Sequence, residues 1–326
     1  MKLGRLVFAT LAGILSSAGI ACCLAYGEDP MSLVEEKAII VWNPETGVEH
    51  FVRQASFDGD AKDFGFIVPT PNRPQVEEAD AAAFDRLQRL VPQEPAAGTD
   101  SEPAKSDRAG GIEILEQKRV GDYFVTILRA SDGATMLTWL TNNGYNSRPA
   151  MEKWLDHYAK QQWYFAALKF VRKPESTDPK TTAIRVSFQT KVPHYPYKMP
   201  EDTWPEGHVR PVALYFVGPG KASAIYRDGK EKWEAQTVWS GPLPAAERAG
   251  LAKELNLRTE DIAPASTVTV MVNHRNEHGY DRDLDFQVAS TVPTFVFIVW
   301  GLTGVAMIIA VIRMFLPKRA EAPASA

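Results

Sequence analysis

Thr294 to Ile312 is a long uncharged run, and no other stretch restricts the fold as strongly. At about 1.5 Å per residue, its length as a helix matches the thickness of a bilayer's hydrocarbon core. Apart from threonines and glycines its side chains are apolar. A soluble fold would have to bury such a helix on every face. Trp300 stands within it, and Gly301 and Gly304 are residues that membrane helices accept. Arg313, Lys318 and Arg319 follow directly, and positive residues stay on the cytoplasmic side. The pattern predicts a transmembrane helix over residues 292–313 and a cytoplasmic tail over 314–326.

The other end of the chain agrees with this orientation. Lys2 and Arg5 precede an apolar run from Leu6 to Ile20, with small residues at Ala18, Gly19 and Ala21. A positive start, a short apolar core and a small-residue exit make a secretory signal, here residues 1–25 with cleavage after Ala21 or after Ala25. The run is short for a span. Both ends therefore predict an exported body, one span in the cytoplasmic (inner) membrane and a C-terminus inside the cell. Lipid contacting the C-terminal helix is then the first expected partner. The two cysteines, Cys22 and Cys23, are adjacent and cannot staple distant parts of the fold. Cys22 has a second candidate role as a lipid-modified N-terminus, although Gly19-Ile20-Ala21 is a weak version of a lipoprotein signal.

Composition is that of an ordinary globular chain, with 45% hydrophobic and 23% charged residues. Such values exclude wholesale disorder and a polytopic membrane protein. The ends hold five basic residues against one acid, a balance of +4. That leaves −8 for the exported part of a chain whose formal charge is −4. An acidic body argues against nucleic acid as a partner.

Within that body, Ala38 to Trp42 and Val48 to Gln54 flank the turn Asn43-Pro44-Glu45-Thr46-Gly47, a pattern that predicts a hairpin. Phe64 to Val68 predicts a third strand stopped by Pro69 and Pro71, and Ala79 to Leu90 a helix. Together these make a first β-rich segment, residues 26–91. Residues 92–111 are rich in Pro, Ala, Ser and Gly and lack apolar periodicity, which marks a flexible linker or insertion. Residues 112–291 form the main part. It has strands over Ile112–Gln117, Tyr123–Arg129, Trp163–Val171, Thr181–Thr190, Val209–Val217, Trp233–Trp239 and Ser266–Asn273. Helices are expected after Ser131-Asp132-Gly133, from Pro149, and over Ala245–Leu257. Strands and helices alternate without a strict βαβ rhythm. The expected fold class is α+β, with a mixed, mainly antiparallel sheet and a few helices.

Two runs carry a resemblance. One is Phe57-Asp58-Gly59 with Asp63-Phe64-Gly65-Phe66-Ile67-Val68-Pro69-Thr70-Pro71 and Pro74. The other joins Val120-Gly121-Asp122-Tyr123, Leu137-Thr138-Trp139-Leu140, Asn143-Gly144-Tyr145, Tyr158 and Trp163-Tyr164-Phe165-Ala166-Ala167. Together they resemble an uncharacterised bacterial family, domain of unknown function 2330. The resemblance covers most of the exported region and implies no established activity, so it transfers no catalytic residue.

The constellations that could carry chemistry are few. His274-Arg275-Asn276-Glu277-His278 has the letters of an inverted zinc-protease motif, which needs both histidines on one helix face. The β-branched approach Thr267 to Val272 predicts a strand and turn instead, and over about 13 Å of strand two imidazoles cannot share one zinc. Asp281, Asp283 and Asp285 echo a calcium loop without its glycine and closing glutamate; a strand with an acidic outer face is expected. Asp58, Asp60 and Asp63 form a tighter acidic turn and are the candidate metal ligands, weighed against an Asx turn. The run Val192 to Pro205 is rich in proline and aromatics, and exposed chain of that kind can hold a peptide or glycan. It makes His194, Tyr195, Tyr197 and Trp204 candidate binding residues, weighed against an irregular connection packed on the sheet. Trp139, Trp154, Tyr158 and Trp163 are expected in the core. The sequence lacks a Gly-x-Ser-x-Gly elbow, a phosphate-binding glycine loop and a dinucleotide fingerprint.

The function expected from these features is an exported, membrane-anchored, non-catalytic binding or scaffold module with no cofactor, whose partner is another envelope protein or component. Two alternatives stand beside it. One is an extracytoplasmic hydrolase with an acidic or metal site at Asp58, Asp60 and Asp63. The other is an accessory subunit of a membrane complex that uses the span as its contact, although Gly301 and Gly304 do not make a Gly-x-x-x-Gly pair.

Overall fold

The structure is a computed structural model. It describes residues 23–26, 32–58, 64–92, 113–145, 147–170, 182–204, 207 and 209–289. The expected transmembrane segment 292–313, the expected tail 314–326, residues 93–111 of the expected linker and all of the expected leader except Cys23 to Ala25 lie outside the described residues. Among the described residues no helix is long and apolar enough to cross a membrane.

In chain order the strands begin with β1 (Cys23–Tyr26), β2 (Ser32–Asn43), β3 (Val48–Asp58), β4 (Phe64–Thr70) and β5 (Gln75–Ala79). Helix α1 (Ala82–Arg89) precedes β6 (Glu113–Val120) and β7 (Tyr123–Arg129), and α2 (Gly133–Asn142) and α3 (Pro149–Ala159) follow. Next come β8 (Tyr164–Phe170), β9 (Ala183–Gln189), β10 (His194–Tyr195), β11 (Val209–Gly218), β12 (Ala222–Tyr226) and β13 (Gln236–Pro242). Helix α4 (Ala245–Glu254) leads to β14 (Thr267–Arg275) and β15 (Leu284–Val288).

One sheet has seven strands in the order β13-β14-β11-β2-β3-β9-β5, antiparallel throughout except for the parallel pair β11–β2. A five-stranded antiparallel sheet has the order β1-β4-β8-β7-β6, and β10-β15-β12 form a small third sheet. The fold is thus α+β with antiparallel-dominated sheets.

Alternation along single strands shows how the layers stack. On β2, Ala38 and Ile40 pack with Phe51 of β3 and with Phe66, Val68 and Leu168 of the five-stranded sheet. The intervening Ile39 and Val41 turn the other way, onto Phe84 and Leu87 of α1 and Leu251 and Leu255 in and beside α4. The five-stranded sheet repeats the pattern: Ile67, Phe165 and Ala167 meet Met136, Trp139 and Leu155 of α2 and α3. Helices, sheet, sheet and helices make four layers. A strand buried on both faces reads as a continuous apolar run, which is why Ala38-Ile39-Ile40-Val41 does not alternate. Each such large side chain contributes about 1.5–3 kcal/mol through removal from water.

The core also encloses charge. Arg53 Nε donates to Glu36 Oε1 at 3.0 Å, with both side chains at most 2% exposed. The guanidinium stacks 4.7 Å from the ring centroid of Phe66 on the facing sheet.

Several expectations are met and others are corrected. The hairpin β2–β3 and the strands β7, β8, β9, β11 and β14 lie where they are expected. Asp132 caps α2 by accepting from Thr135 N at 2.7 Å, and Pro149 opens α3. Gly121 has a positive φ of 55°, a conformation glycine adopts freely and the tight β6–β7 turn requires. Pro69 does not stop β4, which continues to Thr70; β1 pairs with β4 only as far as Ile67. The missing donor therefore falls where that edge is open. Strand β5 carries no signal of its own, because Gln75-Val76-Glu77-Glu78-Ala79 is too polar to stand out, and it closes the edge of the seven-stranded sheet beside β9. Strand β1 straddles the end of the expected leader, and of the two cleavage points only the one after Ala21 would keep it whole.

Helices α2 and α3 pack closely at Gly133. A Cβ there would overlap the Glu152 carbonyl and stand 2.6 Å from Asp156 Cβ. Gly133→Ala is expected to cost about 1–3 kcal/mol by overpacking this backbone contact. Chemical denaturation checks it: a midpoint equal to the parent's would mean that the two helices separate freely.

Candidate functional site

Helix α3 presents Ala150, Lys153, Trp154 and His157 along one stripe, since residues three and four apart share a helix face. Opposite it runs the segment from Lys198 to Trp204, which includes a 3₁₀ turn over Glu201–Thr203. Between them lies a cavity of about 210 Å³, lined also by Met199, Pro200 and Asp281.

Hydrogen bonds hold the two walls in place. Trp154 Nε1 donates to the Lys198 carbonyl at 2.9 Å, and Trp204 Nε1 to the Met199 carbonyl at 3.3 Å. Both indole N–H groups are thereby engaged, and the tryptophans offer aromatic carbon to the cavity. Lys153 Nζ pairs with Glu201 at 2.7 Å, and Arg148 Nε with Asp202 at 2.6 Å. Met199 N donates to the Tyr280 carbonyl at 2.8 Å, and Lys198 Nζ donates to the Asp281 carbonyl.

The electrostatics follow from these contacts. Burial pushes the Lys198 ammonium below its ordinary value, against the pull of Asp283 and Asp281. Burial likewise lowers His157, helped by Lys198. On the rim, Lys153 holds the Glu201 carboxyl down through its hydrogen bond, and Glu201 raises Lys153 in return.

A second polar cluster lies next to this wall. Asp283 accepts from Tyr158 Oη at 2.9 and 3.0 Å and from Lys198 N at 3.0 Å. Arg227 Nη1 donates to His194 Nδ1 at 2.8 Å, and Asp285 Oδ1 is 3.4 Å from both. The direction is fixed because a guanidinium only donates. The Arg227 guanidinium stacks 4.7 Å from the Trp163 ring centroid, and His194 meets that ring edge-on at 5.1 Å. His194 N donates to Glu49 Oε2 at 2.7 Å, while Glu49 Oε1 is buried without a hydrogen-bond partner among the described residues. Burial raises the Glu49 carboxyl well above its ordinary value, opposed by the His194 N–H and reinforced by Asp285.

The residues marked in the sequence are placed as follows. His194, Tyr195 and Tyr197 are buried, not displayed on exposed chain, and the two tyrosines pack in the inter-sheet core; Tyr195 meets Phe51, and Tyr197 meets Trp233 and Tyr280. Trp204 alone of the four lines the cavity. Trp139, Trp154, Tyr158 and Trp163 are buried as expected. The acidic outer face expected at Asp281, Asp283 and Asp285 is corrected at Asp283, while Asp281 is exposed and Asp285 partly so. Asp283 is 3% exposed and accepts from the Tyr158 hydroxyl and the Lys198 amide. Those donors make its burial tolerable. His274 lies at the end of strand β14 and His278 in the turn after it, bonded to Glu234, so the pair shares no helix face. Asp58 closes β3, while its side chain, Asp60, Asp63 and Cys22 lie outside the described residues. Among the described residues, no three His, Cys, Asp or Glu side chains are grouped to hold a metal ion. Lys153, His157 and Lys198 carry no motif. The signals for them are the turn-to-turn spacing of Lys153 and His157 on the helix that carries Trp154, and the place of Lys198 within the Val192–Pro205 run.

A family model described as an uncharacterized protein conserved in bacteria matches residues 16–261, more than half of the chain. No curated protein and no solved structure gives a match.

Proposed function

The chain belongs to the uncharacterised bacterial family domain of unknown function 2330, and from that premise we propose that it is an exported, membrane-anchored binding module. Its ligand sits in the cavity between α3 and the Lys198–Trp204 segment. The Trp154–Trp204 cavity carries the reading: the Trp154–Lys198 hydrogen bond and the Lys153–Glu201 and Arg148–Asp202 pairs join its two walls, which supports a preformed space. A preformed, largely apolar concavity with a few polar groups is the usual form of a small-ligand site. Asp283, His194 and Glu49 are each at most 3% exposed, and of these Asp283 supports the wall by accepting from Lys198 N.

The membrane part of the proposal rests on Thr294–Ile312, the basic tail and the N-terminal leader. A reporter that works only in the cytoplasm, fused after Ala326, is expected to be active, while protease added to intact spheroplasts removes the body. Activity confined to a reporter that works only outside would overturn the topology.

The cavity reading is tested by tryptophan fluorescence of the detergent-solubilised full-length protein, titrated with fractions of an envelope extract. A saturable change that Trp204→Ala abolishes is expected. Responses equal in parent and variant, or no response to any fraction, would refute the cavity as the site.

A further inference from the structure

We propose that this cavity takes a small zwitterion, specifically a free amino acid with an apolar side chain. The inference rests on the reading of the cavity as a ligand site and names the ligand's class.

Size comes first. The cavity holds about 210 Å³. Sites for drug-sized molecules begin at roughly 300 Å³, so this one suits a body of one amino acid. Charge comes second. The lining carries two ammonium groups, Lys153 and Lys198, and two carboxylates, Glu201 and Asp281. Burial lowers His157, and disfavouring the charged imidazole adds no further cation at neutral pH. A ligand of one sign would meet attraction from one pair and repulsion from the other. A ligand with both signs matches both. Lys198 is the natural partner of its carboxylate. It is half-buried, and desolvation strengthens a charge-assisted hydrogen bond formed there. Asp281 and Glu201, whose carboxylates pair with Arg282 and with the exposed Lys153, would exchange those partners for its ammonium. Surface chemistry comes third. Trp154 and Trp204 have their N–H groups engaged, so they present carbon, which favours an aliphatic or aromatic side chain over a polar one.

The test uses the full-length protein in detergent, with tryptophan fluorescence and calorimetry as readouts. The probes are L-leucine, N-acetyl-L-leucine, L-leucinamide and isoamyl alcohol. L-leucine is expected to bind saturably, and each capped form, lacking one charge, to bind about tenfold more weakly or worse. Lys198→Met is expected to lose L-leucine binding, and Asp281→Asn to weaken it. Thermal midpoints of both variants show that they are folded. If all four probes bind alike, the zwitterion is wrong and the cavity is simply apolar, while the binding-module reading stands. If L-leucine does not bind but an envelope fraction still acts through Trp204, the ligand class again falls alone. If neither acts, both readings fall.

Discussion

Glu36→Gln is expected to destabilise the protein by about 3–5 kcal/mol, because it takes a counter-charge away from the buried Arg53 guanidinium. Both side chains face the space between the two large sheets, within the β2–β3 hairpin, and the guanidinium is wedged against Phe66 of the opposite sheet. Water cannot replace the lost carboxylate where the side chains are at most 2% exposed. Urea unfolding measures the loss. The double variant Glu36→Leu with Arg53→Met is expected to recover most of it, since exchanging a buried pair for packed apolar side chains is often neutral or favourable. A single variant within about 1 kcal/mol of the parent would show that the remaining partners of Arg53 suffice.

Glu49→Gln is expected to act in the opposite direction. Glu49 is fully buried on the same inter-sheet space, and among the described residues no side-chain cation bonds to it; Arg227 acts only from a distance, and Asp285 opposes ionisation. Its folded carboxyl is raised, mainly by desolvation, above the ordinary 4.5. The folded protein therefore keeps a proton that the unfolded chain releases. The stability this contributes is complete below the unfolded value and declines as pH rises toward the folded one. Within that window the slope is about 1.4 kcal/mol per pH unit. Glutamine keeps an oxygen for the His194 N–H and carries no charge, so the variant gains on the parent as pH rises above the unfolded value. At this chain length 1 kcal/mol moves a thermal midpoint by about 1–2 °C. His50 tilts the parent's own curve the other way, because burial lowers it from 6.5 to about 4, so that acid favours the unfolded chain. The difference between variant and parent at each pH isolates Glu49. A difference independent of pH would show that the carboxylate is ionised in the folded state throughout.

Much of the architecture is legible because it depends on local signals. Asp132 before α2, Pro149 at the start of α3 and the turn at Gly121 each act on neighbouring residues, and the apolar run of β2 reports burial on both faces. The sheet order is not legible. Nothing local to Phe64–Thr70 tells that it leaves the β2–β3 hairpin for the other sheet, and Gln75–Ala79 becomes a strand only because β9 offers it an edge. The site is half legible. The Val192–Pro205 run stands out by composition, and Trp204 and its neighbours Lys198 to Glu201 do line the cavity. That His194, Tyr195 and Tyr197 turn inward is set by partners distant in sequence, Asp285 and Tyr280 among them. The same separation hides the role of Asp283, whose donors come from α3 and from Lys198.

The parallel pairing of β2 with β11 has a consequence for how the molecule is made. A chain emerging from its N-terminus delivers the β2–β3 hairpin first, apolar on both sides, while the neighbour of β2 has most of the body still to be synthesised before it. Pairings between strands so far apart in sequence form slowly. Until Val209–Gly218 arrives, that hairpin has an open flank able to pair with the wrong chain. The early hairpin therefore stays exposed to self-association until the later half of the body is in place to cover it.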